Sequence, residues 1–346
     1  MTPRYLAPWT TPMDSLSLTS FVEYYLANGL LRFRIPMLFV ISGYLYALYD
    51  QSPYKQRIKK RARTLLLPYF LWSGLFILMI YLAELIPVAK QAIMASQVLQ
   101  IDQTRMTLHD YHWDELLSRW IFDPLPYQLW FLRVLFFYNL CYPLIRRWVL
   151  GKKSKWVFFS IALFLWLTSF PAMLFDGEGL LFFSLGVWLQ KTNFDIDQPK
   201  KCLNPWYWGI ACLAITAVKT WLAFKGFGLL GNYVYLLMSV LHKFVVLSGL
   251  IAAWFGFNGV VRWCMTRKWF VWLSAFSFMI YALHAPLVAI VIDPFYAMLN
   301  YPYGYRMLTF ILLPLTLIIC SIVIGALLRK GLPKVYSVLT GGRGLH

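Results

Sequence analysis

Nine long apolar stretches, separated by short polar segments, run through almost the whole chain. They cover residues 30–49, 65–88, 127–149, 156–175, 177–190, 206–224, 234–257, 269–292 and 306–328. Most are close to the ~20 residues that a helix needs to cross the hydrocarbon core of a bilayer. None alternates with the two-residue period of a membrane barrel strand. The pattern therefore predicts an all-α, polytopic transmembrane helical bundle with about nine spans.

The polar segments alternate in charge along the chain. Lys and Arg follow the first, third, fifth, seventh and ninth stretches, whereas the segments between carry most of the acidic residues. Because Lys and Arg mark the cytoplasmic side, we expect an extracytoplasmic segment at 1–29, a membrane domain over 30–328 and a cytoplasmic tail at 329–346. Residues 89–126 are predicted to form an outer loop, whose short amphipathic helices lie on the membrane or cap the bundle.

Composition narrows the class of protein further. The 346 residues are 60% hydrophobic and only 13% charged, which favours a multi-pass protein of the cell (inner or cytoplasmic) membrane over a soluble domain. The net charge of +18 lies mainly in the predicted cytoplasmic loops. Membrane topology and contact with anionic lipids are better explanations of this positive charge than nucleic-acid binding. The five Cys have no CxxC spacing, so neither a disulfide framework nor a zinc site is indicated.

Ionisable side chains inside a membrane are costly and mark candidate functional sites. The predicted spans contain seven: Arg32, Arg34, Arg133, Lys219, His242, Lys243 and His284. Glu178 stands at the head of the fifth span. The predicted direction of each span places most of these groups in the outer half of the membrane, with Arg133 about two turns in from the outer face. This arrangement predicts a polar pocket that opens outward.

Each of these residues has a second interpretation. Four cations are long enough to reach the interface while their stems stay in hydrocarbon, namely Arg32, Arg34, Lys219 and Lys243. His242 and His284 fit core histidines bonded to a carbonyl of another helix. Arg133 lies deeper, which favours a partnered, inward-facing role.

The predicted outer loop contains a cluster of possible metal ligands. His109 and His112 are three residues apart and stand beside Asp110, Asp114 and Glu115. On a helix this spacing would suit a metal, but a solvated polar face beside a tryptophan explains it equally. No third ligand is fixed by spacing, so no metal is expected.

Four segments, in this order, resemble the acyltransferase 3 family of integral membrane acyltransferases. They are RIPMLFVISGY (34–44), the basic KKRAR (59–63) leading into LPYFLW (67–72), LWFLR (129–133) and SFMIYALHAP (277–286). The resemblance covers residues 20–328. It implies transfer of an acyl group, acetyl or succinyl in type, to a hydroxyl of a cell-surface polysaccharide or glycolipid. The implied donor is a cytoplasmic acyl-CoA.

The resemblance also suggests residue roles. Arg61 and Arg63 match the paired basic residues of the family and would hold the donor's phosphates by charge-assisted hydrogen bonds. Arg133 and His284 match two further motifs and are the candidate catalytic residues. Arg34, His242 and Glu178 are the candidate residues of the outward-opening pocket. The implied partners are acyl-CoA, an envelope carbohydrate or glycolipid acceptor and membrane lipids, without nucleic acid.

One family feature is absent from this sequence. Family members open with a helix that carries an Arg and, about eleven residues later, a His suited to general-base catalysis. This chain has no His before His109. Either Met1 is an internal methionine of a longer protein, which a tenth span and a cytoplasmic N-terminus would favour, or the chain is a shortened homologue. Such a homologue would be inactive or would use another base, such as His242 or His284.

Two classes of function without catalysis also fit the sequence. A carrier or flippase for a glycan or lipid precursor would use the same outward-opening pocket. A structural or regulatory membrane partner would not need the catalytic His.

Overall fold

The computed structural model describes residues 9–12, 15–95, 107–169, 175–198, 200–298 and 306–344. Within these ranges the chain is helical and contains no β-strand. The helices are α1 Leu18–Ala27, α2 Arg34–Leu48, α3 Tyr54–Arg61, α4 Leu67–Ala83, α5 Pro87–Ala95, α6 Trp113–Ile121, α7 Trp130–Leu140, α8 Tyr142–Leu150, α9 Ser154–Leu167, α10 Gly177–Lys191, α11 Pro205–Leu230, α12 Tyr233–Gly256, α13 Asn258–Met265, α14 Lys268–Ser274, α15 Ser277–Met298, α16 Arg306–Gly331 and α17 Pro333–Thr340.

All nine predicted apolar stretches are helical over most of their described residues. By length and composition, five helical segments of the described chain are able to cross a membrane: Leu18–Leu48, Tyr54–Ala83, Lys201–Leu230, Tyr233–Gly256 and Arg306–Gly331. Two more spans arise if α7 with α8, bent by 63°, and α14 with α15, bent by 56°, each count as one. The other two stretches form the shorter helices α9 and α10. The protein is therefore a polytopic helical membrane protein.

The chain forms two compact units that interleave in sequence. Unit 1 contains residues 58–136 and 267–346, and unit 2 contains residues 6–57 and 137–266. Each unit therefore brings together segments that are far apart along the chain.

A close helix crossing lies at the centre of unit 2. Helices α2 and α10 meet at Gly43 and Gly186, where a Cβ on either glycine would overlap a carbonyl oxygen of the facing helix. These oxygens belong to Phe183 and Val40. Small residues let membrane helices approach until their backbones touch, because packing rather than water exclusion drives their association.

An ionic cluster joins the ends of three helices of unit 2. Asp50, just beyond α2, accepts a hydrogen bond from Tyr142 Oη at 2.7 Å and lies 2.8 Å from Lys191 Nζ and 3.4 Å from Arg146 Nε. Burial alone would raise the pKa of Asp50, but these partners outweigh it and lower the pKa below its usual value. The charged carboxylate thus ties α2 to α8 and α10.

The described segment of the predicted outer loop that begins at Thr107 runs back along α4 in unit 1. At one end the carboxylate of Glu84 accepts a hydrogen bond from the backbone N–H of Leu108 at 2.8 Å. At the other end Tyr69 donates its hydroxyl to the carbonyl of Ile121, also at 2.8 Å. Tyr69 stands fifteen residues before Glu84, or about 22 Å along a helix. Helix α6 therefore packs lengthwise on α4, whereas the sequence predicted helices that cap the bundle or lie on the membrane.

The C-terminal segment packs against the start of α4 in unit 1. Trp72 donates its indole N–H to the carbonyl of Leu339 in α17 at 3.0 Å. Gly341 ends α17 with a φ of 63° and lies against the backbone of Thr64. A side chain there would be strained by the left-handed backbone and would collide with Thr64. The predicted cytoplasmic tail is thus a docked element of unit 1.

Replacing Gly186 by Ala tests the α2–α10 crossing. The new Cβ has no room against the carbonyl of Val40, so we expect the free energy of unfolding to fall by about 1–3 kcal/mol. Gly228→Ala is the matched control, because nothing lies within 4 Å of a Cβ at that position of α11. Thermal unfolding of both variants in detergent checks this, and equal melting temperatures would contradict a close crossing.

Replacing Asp50 by Asn tests the ionic cluster and its pH dependence. Loss of the charge should cost about 1–2 kcal/mol of stability at neutral pH. Because the folded pKa lies below its usual value near 3.8, this difference should persist down to about pH 5 and vanish as the pH falls through the folded pKa.

The control for this variant is Asp197→Asn, which removes a carboxylate from an exposed loop. Melting curves between pH 3 and pH 8 give the comparison. A penalty for Asp50→Asn that grows at acid pH would show that the carboxylate is not held in its charged form.

Candidate functional site

Unit 1 gathers three arginines and two tyrosines, which we call the arginine–tyrosine cluster: Arg61, Tyr69, Arg133, Tyr281 and Arg343. They come from α3, α4, α7, α15 and the segment after α17. The fold thus brings together residues up to 282 positions apart in the sequence (343 − 61).

Arg61 lies at a break in regular helix geometry. It ends α3, and the next five residues, Ala62–Leu66, form a π-helical turn that leads into α4. Such turns are rare and occur frequently at functional sites. Arg61 is half-buried, whereas Arg63 is exposed on the turn. The two predicted donor-binding residues therefore differ in their exposure to solvent.

Arg343 lies close to Arg61, although nothing in the sequence around Arg343 indicates a site. Its guanidinium lies 4.7 Å from the ring centroid of Phe278. Burial, followed by the neighbouring Arg61 guanidinium, lowers the pKa of Arg343 to about 10. Two guanidinium groups that approach each other in this way favour an anion between them. Only the docking of the tail, which no local motif predicts, brings Arg343 here.

Arg133 lies beside the hydroxyl of Tyr69, near the start of α4. Its Nε and Nη1 atoms are buried and have no hydrogen-bond partner in the described part of the chain. The positive-inside pattern assigns the start of α4 to the cytoplasmic side. Arg133 therefore lies at the same end of α4 as Arg61, whereas the sequence predicted the two arginines on opposite sides of the membrane. The reason is that the segment from Leu108 to Ile121, which precedes α7, runs back along α4.

His284 and Tyr281 are neighbours on α15. Tyr281 donates its hydroxyl to the carbonyl of Gln128 at 2.6 Å, and the ring centroids of Tyr281 and His284 are 6.3 Å apart. His284 Nδ1 lies 3.1 Å and 2.8 Å from the carbonyl oxygens of Ile280 and Tyr281. These oxygens belong to its own helix, not to another. If Nδ1 carries the proton, Nε2 has the lone pair that a general base needs.

Unit 2 contains a second set of polar groups, which we call the buried polar cluster. It is formed by the amide of Asn28 and the ionisable side chains of Arg32, Asp176, Glu178, Lys219, His242 and Lys243. Lys219 is fully buried, and its Nζ donates to the carbonyl oxygen of Asn28 at 2.7 Å. Lys243 is also buried, and its Nζ lies 3.1 Å from Ser169 Oγ. Both ammonium groups are enclosed in the protein. Lys219 and Lys243 are therefore not cations that extend along the protein surface to the membrane interface.

The carboxylates of this cluster lie at the start of α10. Asp176 caps the helix by accepting the backbone N–H of Gly179 at 2.6 Å. Glu178 accepts the indole N–H of Trp166 at 3.1 Å and lies within electrostatic range of Lys243 and Arg32. The structure thus brings the predicted pocket residues Glu178 and His242 together. Arg34, the third, is exposed at the first residue of α2.

His109 of the predicted outer loop has a structural role. His109 Nδ1 lies 2.8 Å from the buried carboxylate of Glu84, and the imidazole stacks on Tyr81 with 3.8 Å between ring centroids. This contact fastens the turn before α6 to the end of α4. No group of three His, Cys, Asp or Glu suited to a metal occurs within the described ranges.

Comparison with known proteins identifies the family. The model of the acyltransferase 3 family, described as an acyltransferase domain, matches residues 8–325. The chain is also similar to "Succinoglycan biosynthesis protein ExoH" of Rhizobium meliloti, with 24% identity over 346 residues, 98% of this chain and 87% of that protein. No solved structure matches significantly. The protein is therefore a membrane-embedded transferase that belongs to the acyltransferase 3 family.

Proposed function

We propose that this protein transfers an acyl group, acetyl or succinyl in type, from a cytoplasmic acyl-CoA to a hydroxyl of a cell-surface polysaccharide or glycolipid. Family membership supports the reaction class. The name of its relative, a protein of succinoglycan biosynthesis, supports a polysaccharide as acceptor. The positive-inside pattern supports an inner membrane location with the C-terminus in the cytoplasm.

The arginine–tyrosine cluster carries the proposal. The charged or titratable groups that act on Arg343 among the described residues are Arg61 and Tyr281, and neither is a carboxylate. Arginine is the side chain best suited to bind phosphate through paired N–H donors. Coenzyme A presents a diphosphate and a 3′-phosphate, which match Arg61 and Arg343 in charge. Arg63 is exposed beside them and is available for a further phosphate.

The chemistry then follows from the groups near Tyr281. His284 accepts the proton of the acceptor hydroxyl, and the oxygen attacks the thioester carbonyl. Arg133, whose Nε and Nη1 have no hydrogen-bond partner among the described residues, stabilises the negative charge that develops on the carbonyl oxygen. The C–S bond breaks, the thiolate of coenzyme A takes the proton, and the acceptor leaves as an ester.

A carrier is the second candidate, and one observation favours it. Two helix pairs are bent, by 63° and by 56°. Broken helices are typical of substrate sites in secondary transporters. Turnover of acyl-CoA by the purified protein separates the two functions, since a carrier leaves the thioester intact.

Replacing Arg61 or Arg343 by Ala tests donor binding. We expect each change to raise the KM for acyl-CoA by roughly tenfold to a hundredfold with a small effect on kcat, because binding to the phosphates is made equally in the ground and transition states. Ester formation on an oligosaccharide acceptor, measured over a range of acyl-CoA concentrations, gives both constants.

Matched controls lie on the same two segments. Lys60→Ala removes the same charge from the exposed position next to Arg61, and Lys334→Ala removes it from an exposed position of α17, nine residues before Arg343. Both controls should leave KM within about twofold. An equal rise in all four variants would mean that only the net positive charge matters. Absence of acyl-CoA turnover by the unaltered protein, together with transport of a glycan, would overturn the enzymatic proposal.

A further inference from the structure

Gln128 joins the two segments of unit 1 that carry the candidate catalytic residues. It lies in the short helical turn directly before α7, the helix that contains Arg133. Its side-chain Nε2 donates a hydrogen bond to the carbonyl of Ala282 in α15 at 3.0 Å. Its own backbone carbonyl accepts the hydroxyl of Tyr281 at 2.6 Å. Both bonds therefore reach the turn of α15 that also contains His284.

The carbonyl that Gln128 binds is one that α15 cannot satisfy with its regular backbone hydrogen bond. In an α-helix the carbonyl of residue i accepts from the N–H of residue i + 4. For Ala282 that residue is Pro286, which has no backbone N–H to donate. An unpaired backbone carbonyl is especially unfavourable in a membrane span, where no solvent replaces the lost partner. The side-chain amide of Gln128 takes the place of the missing N–H from outside the helix.

The chemistry of the amide fixes its orientation. A backbone carbonyl only accepts hydrogen bonds, so the nitrogen of the Gln128 side chain, and not the oxygen, faces Ala282. The side chain is 6% exposed, and its Oε1 atom is buried without a hydrogen-bond partner among the described residues. Burying this oxygen is unfavourable, and a methionine would fill a similar volume without that penalty. The bond to Ala282 is therefore what the amide contributes here.

The two bonds of Gln128 restrict how the start of α7 lies against α15. Arg133 follows Gln128 by five residues, and His284 follows Ala282 by two. The start of α7 cannot slide along α15 or rotate against it without breaking both bonds. The separation of Arg133 and His284 therefore depends on Gln128.

We infer that Gln128 is a positioning residue that holds Arg133 and His284 at the separation needed for acyl transfer. This inference rests on the proposed function, in which His284 accepts the proton of the acceptor hydroxyl and Arg133 stabilises the charge on the thioester carbonyl. Gln128 acts through these two side chains and touches neither substrate. A displacement of about 1 Å between reacting groups is enough to lower a rate by roughly a hundredfold.

Gln128→Met removes the donor and keeps most of the side-chain volume. Ester formation on an oligosaccharide acceptor is measured with purified full-length protein over a range of acyl-CoA concentrations. We expect kcat to fall by about tenfold to a hundredfold. The KM for acyl-CoA should stay within about threefold, because the donor-binding arginines are unchanged. A rise in KM at unchanged kcat would mean that Gln128 binds the donor and positions nothing.

Pro286→Ala gives a rescue that depends on the Ala282 carbonyl. It restores a backbone N–H that binds this carbonyl within α15. Adding Gln128→Met to Pro286→Ala should therefore lower kcat by less than about threefold. Pro314→Ala is the matched control, because it restores an N–H inside α16 and leaves Ala282 without its helical partner. No rescue by Pro286→Ala, or an equal rescue by Pro314→Ala, would overturn the inference.

Gln91→Met is the matched control for the glutamine change, since Gln91 is exposed on α5 of the same unit. It should leave kcat and KM within about twofold. If Gln128→Met does not fold, Gln128→Asn replaces it, because its amide is one methylene too short to reach Ala282. The same fall in kcat and the same rescue are then expected, and an unchanged kcat would contradict the inference.

Hydrogen exchange separates this inference from the proposed function. In full-length protein in lipid nanodiscs, the backbone amides of residues 280–285 should exchange at least about fivefold faster in Gln128→Met than in the unaltered protein. Pro286→Ala should remove this difference. If the protein transfers no acyl group but shows this pattern, the proposed function fails, and Gln128 still holds the turn of α15. If acyl transfer occurs but neither kcat nor exchange depends on Gln128, the inference is wrong and the proposed function stands.

Discussion

Hydrocarbon cannot solvate a charge or a peptide group, and the structure of this protein follows from that constraint. All spanning elements are helices, which satisfy their own backbone hydrogen bonds. Where helices approach closely, glycines such as Gly43 and Gly186 permit backbone contact. Ionisable side chains inside the membrane domain are gathered into clusters instead of being dispersed. The positions of those clusters are therefore the best guide to chemistry.

The two units contain clusters of different character. In unit 1 the arginines lie among tyrosines, next to a π-helical turn and a docked tail, and Arg343 is only partly withdrawn from solvent. In unit 2 the lysines and the histidine are almost completely buried and lie beside two carboxylates. The first arrangement suits a large, highly charged ligand that arrives from water.

The sequence was sufficient to predict the helical membrane class, because continuous apolar stretches admit no other solution. It also selected Glu178 and His242, which the fold brings into one cluster, because ionisable residues are rare in such stretches. It did not predict that α6 packs along α4, and so it did not predict that Arg133 lies beside Tyr69 at the end of α4 where Arg61 lies. It did not select Arg343, since a cation in a tail matches the positive-inside pattern whether or not the tail docks. Long-range packing, which no local pattern encodes, decided both cases.

The central proposal is that the protein takes its acyl donor from the cytoplasmic side of the membrane and its acceptor from the opposite side. Sealed proteoliposomes of defined orientation test it, with acyl-CoA supplied only on the side of Arg61 and an oligosaccharide acceptor only on the opposite side. The account predicts ester on the acceptor in this arrangement and none when the donor is moved to the acceptor's side. Ester formation only when donor and acceptor share a side would contradict it.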